Sequence, residues 1–267
     1  MPEEKTIRPR EASASTALDS VVLEFFGVSV TPRTTLDVAR HLEGALDRRG
    51  SSILAAHNLH SVYLFHTNSR FRAFYEVADL VLIDGRPLLT YLNKVRRRRK
   101  EVALSSAYRI GSTDWIDDAI SLVGIRRICV LGASESANAD FLNRYEGAGC
   151  KKFLGIPADP WEPDKAKQTV EQVRQFQPDI TLVALGMPLQ ESVALLLREA
   201  NVGGVIATVG GAIDQLSGHQ VHAPRWLGKI GLEWTWRLAS HPRRLAHRYL
   251  VEPFILLSIL RKKTSTR

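Results

Sequence analysis

Cysteine is nearly missing from the sequence: Cys129 and Cys150 are the only two, and they lack the CxxC spacing of a metal or redox motif. Cys129 lies in an apolar, strand-like run and reads as a buried, reduced thiol, which fits a reducing cytosol. Long apolar runs are missing too. Stretches such as Phe254–Leu257 fall far short of the ~20 residues that span a bilayer, so an integral membrane protein is not expected. The first twenty residues lack the apolar region of a secretory signal, and none is predicted.

Several catalytic signatures are absent. There is no GxGxxG, Walker A, HExxH or GxSxG, which removes most dinucleotide, P-loop, zincin and hydrolase readings. No Asp-x-Asp occurs either, so a metal-bridged diphosphate site of that type is unsupported. Among eight histidines the clearest spacing is His57/His60, which at a helix start reads as ordinary rather than metal-ligating. No metal site is predicted.

What is present is a 267-residue chain with 45% apolar content, enough for one large α/β domain or a domain with an appendage. Its net charge of +8 is carried at one end. Ten Lys/Arg between Arg225 and Arg267 face only Glu233 and Glu252, leaving 26 cations and 26 acids in the rest. A neutral body with a basic C-terminal segment calls for an anionic partner: phosphate, a lipid surface or nucleic acid.

Hydrophobic patterning gives strands at 21–26, 51–56, 79–84, 127–131, 180–185 and 205–209. Between them helices are expected at 34–48, 62–65 and 71–77, after Pro87, at 113–123, 136–145 and 163–176, and up to Ala200. The helix after Pro87 is expected to be interrupted by the basic run Lys94–Lys100, for which a solvated face and a lipid or phosphate contact both stay open. This alternation predicts an α/β fold: a mainly parallel Rossmann-like sheet with helices on both faces, plus a basic helical C-terminal appendage. Residues 1–17 read as a disordered tail, 18–220 as the α/β domain and 221–267 as the appendage.

Several predicted strands end in a polar or glycine-containing cluster: Asn58, Asp84-Gly85, Gly132, the Gly186–Glu191 stretch with Gln190, and Gly210-Gly211 followed by Asp214. In a parallel sheet these ends share one edge, where ligands bind and distant residues converge. Each cluster alone has a plain structural reading. Asp84 suits an Asp-Gly turn, and Gln190-Glu191 suits the start of a surface helix. A diphosphate bound without metal would need arginines, and Arg237, Arg243, Arg244 and Arg248 are available.

The ordered pieces Ala78–Gly85, Leu185–Glu191, Val209–Asp214, Ala223-Pro-Arg-Trp226, Gly231-Leu-Glu-Trp234, Trp236-Arg-Leu238, Pro242-Arg-Arg244 and Arg248-Tyr249 resemble the WecG/TagA/CpsF glycosyltransferases, glycosyltransferase family 26. The resemblance implies an inverting, metal-independent hexosyltransferase without cofactor. It would move an N-acetylmannosamine-type or glucose-type sugar from a UDP-sugar to a polyprenyl-diphosphate-linked saccharide in cell-surface or exopolysaccharide synthesis. It further implies a cytoplasmic protein held peripherally on the inner face of the membrane. By motif, Asp84 is the candidate base, and Arg237 and Arg244 close over the donor diphosphate. Asn58, Arg109, Gly186, Gln190, Gly210, Gly211 and Asp214 form the binding pocket. Residues 18–220 would then be catalytic, and the appendage an active-site lid and membrane contact. Ala56-His57-Asn58 departs from the family's usual Thr-Pro-Asn, His222 and His241 replace an Arg and a Glu, and Ser112 replaces a glycine. These departures bear on sugar and acceptor identity.

Trp226, Trp234, Trp236 and Leu238 also suit simple packing of the appendage onto the body. The stretch 249–263, apolar and then cationic, has the composition of an interfacial segment on anionic lipid. A basic nucleic-acid-binding module, or a non-catalytic subunit of a polysaccharide complex, are the competing functions. No nucleic-acid motif accompanies the charge, and none is expected as partner. A homo-oligomer stays open.

Overall fold

A computed structural model describes residues 19–46, 50–145, 151–158, 160–220, 235, 238 and 245–265. Expectations for the 1–17 tail, Cys150, and 221–234 with Arg237, Arg243 and Arg244 lie outside the described residues.

Six strands form one parallel sheet: β3 (Ser51–His57), β4 (Leu80–Ile83), β5 (Arg127–Gly132), β6 (Lys152–Ile156), β7 (Ile180–Ala184) and β8 (Gly204–Thr208). Their order across the sheet is β4-β3-β8-β7-β5-β6. A separate antiparallel hairpin of β1 (Val21–Leu23) and β2 (Val28–Val30) precedes it, joined to β4 where the Thr31 N–H donates to the Val81 carbonyl at 2.7 Å.

Period-two alternation on apolar strands builds two cores. Leu54, Ile128, Val130, Leu182, Val205 and Ala207 face one layer. That layer is filled by α1 (Thr35–Leu46), α5 (Ile116–Ser121) and α6 (Glu135–Asn143), with Trp115 wholly buried among them. Ile53, Ala55, Cys129, Leu131, Val183 and Ile206 face the other, against α3 (Ser69–Glu76), α7 (Ala166–Phe176) and α8 (Leu189–Glu199). Burial pushes the Cys129 thiol far up, so it stays protonated, as its apolar context predicts. The α/β fold with a parallel sheet and surrounding helices is thus the observed one.

A third core joins the hairpin to α2 (Leu59–Thr67), α4 (Arg86–Arg98) and a final helix, α10 (Glu252–Ser265), through Leu23, Val62, Leu88, Leu92, Leu256 and Leu260. The basic run does not interrupt α4. The helix continues to Arg98 because arginine is a good helix former and its inner face, Leu88, Leu89 and Leu92, is already anchored. A short helix, α9 (Ala212–Leu216), follows β8. Among the described residues no helix is long and apolar enough to cross a membrane.

Candidate active site

All six parallel strands send their carboxyl ends to one cleft of about 570 Å³. At one end stand Asn58 and Asp84. Asn58 caps α2 reciprocally: its Oδ1 accepts the Ser61 N–H at 3.1 Å, and Ser61 Oγ accepts the Asn58 N–H at 2.8 Å. The capping box fixes which way the amide points. Asn58 Nδ2 is therefore turned outward and donates to Asp84 Oδ2 at 3.1 Å. Asp84 itself is placed by its backbone, whose N–H donates to the His57 carbonyl at 3.0 Å. Behind it, a Cβ on Gly85 would lie 3.0 Å from the Asn58 Cα, a tight contact that glycine avoids where the two strand ends approach.

Gly111, Ser112 and Thr113 complete this end. They are drawn to β4 by the Ile110 N–H, which donates to the Ile83 carbonyl at 2.8 Å. Arg109, expected in the pocket, stands two residues before this segment and is not among the wall residues.

The middle of the cleft is built by β7 and β8. After β7 the chain passes Gly186 and a cis Met187–Pro188 bond into α8. Gln190, 2% exposed, accepts the Gly210 N–H on Oε1 at 2.8 Å and donates from Nε2 to Glu191 Oε1 at 2.8 Å. Gly210, Gly211 and Asp214 line the same wall, Asp214 from the first turn of α9. Ala133, Ala158, Trp161, Leu185 and Met187 give the β5–β7 end an apolar surface.

A further wall comes from the C-terminal segment: Leu245, His247, Arg248, Tyr249 and Glu252. Glu252, buried at the start of α10, pairs with His60 Nδ1 and lies 3.4 Å from His247 Nδ1. Burial, then the charge of Arg248, lowers the His60 pKa. His57 is not part of the wall. It is fully buried, stacked on Tyr75 at 3.9 Å and bonded to Ser61 Oγ at 2.9 Å. Burial, with His66 adding to it, lowers its pKa to about 3, so it is neutral and structural. Among the described residues no group of three or more His, Cys, Asp or Glu side chains converges in a way that could hold a metal ion.

The cleft thus brings together Asn58, Asp84, Gly186, Gln190, Gly210, Gly211 and Asp214, while Arg237 and Arg244 lie outside the described residues. A sequence model of the Glycosyl transferase WecG/TagA/CpsF family matches residues 23–267. The chain belongs to that family. It is a glycosyltransferase of a group that acts in cell-surface polysaccharide synthesis, and the cleft at the sheet edge is its candidate active site.

Sequence reasoning missed several wall residues of this glycosyltransferase: His60, Trp161, Thr208, Tyr249 and Glu252. His60 was open to discovery, since it is the second residue of the helix that Asn58 caps. Glu252 was not. Its link to His60 spans 192 positions and depends on α10 docking along α2.

Proposed function

We propose that this glycosyltransferase is inverting and transfers a hexosyl group, of N-acetylmannosamine or glucose type, from a UDP-sugar to a polyprenyl-diphosphate-linked saccharide. The observation that carries the reading is Asp84, oriented by Asn58 Nδ2 at 3.1 Å in the same cleft as Gly210, Gly211 and Asp214. Asp84 accepts the proton of the acceptor hydroxyl as its oxygen attacks the anomeric carbon. The bond from that carbon to the diphosphate breaks on the opposite face, UDP takes the electron pair, and one carboxylate suffices. The nucleotide half comprises Gly186, Gln190, Gly210, Gly211 and Asp214, with Asp214 accepting from a sugar hydroxyl. Arg109 serves the polar rim beside the Gly111–Thr113 segment.

Arg237 and Arg244 supply the countercharge for the leaving diphosphate, so the reaction needs neither metal nor cofactor. Arg237→Ala and Arg244→Ala should each lower kcat by about 10²-fold, with donor KM much less affected. Single-turnover rates with a UDP-sugar panel and lipid-diphosphate acceptors, products analysed by mass, test both the arginines and the reaction class. Unchanged rates in both variants would remove the lid from the mechanism.

The appendage is also the proposed membrane contact, at the inner face of the cell membrane. Leu256 and Leu260 of α10 are in the core, whereas Phe254 is 73% exposed, Leu250, Val251 and Ile255 are exposed, and Arg261 and Lys262 are exposed later in the same helix. An apolar face with adjacent cations suits the interface of an anionic leaflet. Phe254→Ser with Ile255→Ser should weaken binding to phosphatidylglycerol vesicles about tenfold and leave the fold intact, since neither side chain is buried. Undiminished sedimentation with vesicles would refute the assignment.

A further inference from the structure

Next to the cleft lies an ionisable group that the transfer reaction does not use. Glu191 is 1% exposed, in the first turn of α8, and its Oε2 is buried without a hydrogen-bond partner. A buried carboxylate with an unsatisfied oxygen is destabilising relative to an apolar residue of like size. Its other oxygen, Oε1, accepts from Gln190 Nε2 at 2.8 Å. On the far side of the same amide, Gln190 Oε1 accepts the Gly210 N–H at 2.8 Å.

The chemistry of this chain permits one orientation of the amide while Glu191 is ionised. Turning it over would set Nε2 against the Gly210 N–H, donor on donor, and Oε1 against the Glu191 carboxylate, acceptor on acceptor. Protonation removes the acceptor-on-acceptor half of this constraint, because a neutral carboxyl can donate to Gln190 Oε1, so only the Gly210 N–H is left to select the orientation. Each turn of the amide then breaks the Gly210 bond.

We propose that Glu191 is a positioning residue for the nucleotide half of the cleft: its carboxylate holds the Gln190 amide in register, and the amide holds the Gly210 strand end. The ligand consequence rests on the reading of this half as a UDP site, whereas the lock itself does not.

The electrostatics agree. Burial raises the Glu191 pKa to about 7, against the smaller lowering by Gln190 and the helix backbone, so both states are accessible near neutrality. Of the elements packed on α8, β7 and β8 carry no titratable residue, and α3 brings Tyr75, whose phenol Glu191 raises further. On α3, Arg70 and Glu76 are exposed and Arg72 lies over the Phe65 ring. On α7, Lys167 is exposed and Glu171 pairs with Arg174 at 2.8 Å.

The test follows the Gly210 amide resonance of the full chain, without ligand, together with the Glu191 side-chain carbon from pH 5.5 to 8.5. Co-titration of the two in the unsubstituted chain is expected, and a Gly210 response that is lost in Glu191→Gln. A Gly210 resonance that ignores pH, or titrates unchanged in Glu191→Gln, overturns the proposal. If that variant does not fold, co-titration in the unsubstituted chain still decides. UDP is then the probe for the consequence: its Kd should weaken about three- to tenfold from pH 8 to pH 6 in the unsubstituted chain and stay flat in Glu191→Gln. A pH-independent Kd beside a titrating Gly210 overturns the role in nucleotide binding. Absence of UDP binding at every pH overturns the donor reading and leaves the amide titration to decide the lock.

Discussion

Asp84→Asn should abolish sugar transfer, lowering kcat by about 10³-fold or more, while UDP binds with nearly unchanged affinity. The substitution keeps volume and shape, so the end of β4 and the backbone bond from residue 84 to the His57 carbonyl persist. It exchanges a proton acceptor for an amide that cannot take the acceptor's proton. It also sets one amide against another where Asn58 Nδ2 now donates to Asp84 Oδ2 at 3.1 Å, a contact the new amide can keep through its own oxygen. Fold and donor binding are therefore spared. Calorimetry with UDP and single-turnover transfer, measured on the same preparation, separate the two effects. A variant that transfers at the normal rate would strike Asp84 from the mechanism, and one that loses UDP as well would move it to the donor side.

The largest effect on stability is expected at Gly132, the last residue of β5. Its φ of +113° is a conformation that side-chain-bearing residues rarely adopt, and a Cβ there would lie 2.5 Å from the Ala184 carbonyl oxygen. The obstructing atom is backbone of the neighbouring strand β7, and the same oxygen accepts the Ala133 N–H at 3.0 Å. Relief requires prising β5 from β7 in the middle of the sheet. Gly132→Val should cost about 3 kcal/mol or more, combining backbone strain with lost pairing and packing. Gly44→Ala, on the exposed face of α1 where a Cβ meets nothing within 4 Å, is the control and should stabilise by about 0.5–1 kcal/mol. Urea midpoints measure both. A Gly132→Val chain as stable as the parent would show that the strand ends are looser than this geometry requires.

Much of the site was legible because it is written at strand ends. An apolar run that stops at a glycine or a carboxylate marks both the end of a buried strand and the place where backbone meets ligand. Asp84, Gln190, Gly210 and Asp214 were found in that way, and they do share a cleft. The strands that escaped notice are the ones with the weakest signal. β6, Lys152–Ile156, is an edge strand with no fully buried residue, and β2 has only three residues after a four-residue turn. The helix α9 has five residues and no cap side chain, so nothing in its pattern announces it.

Glu191 shows a different limit. Its sequence neighbours suit an exposed helix start, and only packing against β7, β8 and α3 reveals a carboxylate that is buried with one oxygen unsatisfied. The amphipathic character of α10 divides in the same way. Apolar residues at 254–257 were visible, but which of them enter the core was settled by the helix docking on α2, with Leu256 inward and Phe254 outward.

By itself the sequence determined what local chemistry can determine: the alternation of strands and helices, the parallel sheet that this alternation requires, the reduced thiol, and the clusters at the strand ends. Periodicity and side-chain chemistry act over a few residues, and these features need nothing more. The tertiary structure alone decided the strand order β4-β3-β8-β7-β5-β6, the meeting of Asn58 with Asp84, the hold of Gln190 on Gly210, and the wall that His60 and Glu252 build together. Each of these is a contact between segments far apart in the chain, fixed by how whole faces pack rather than by any residue's own preference.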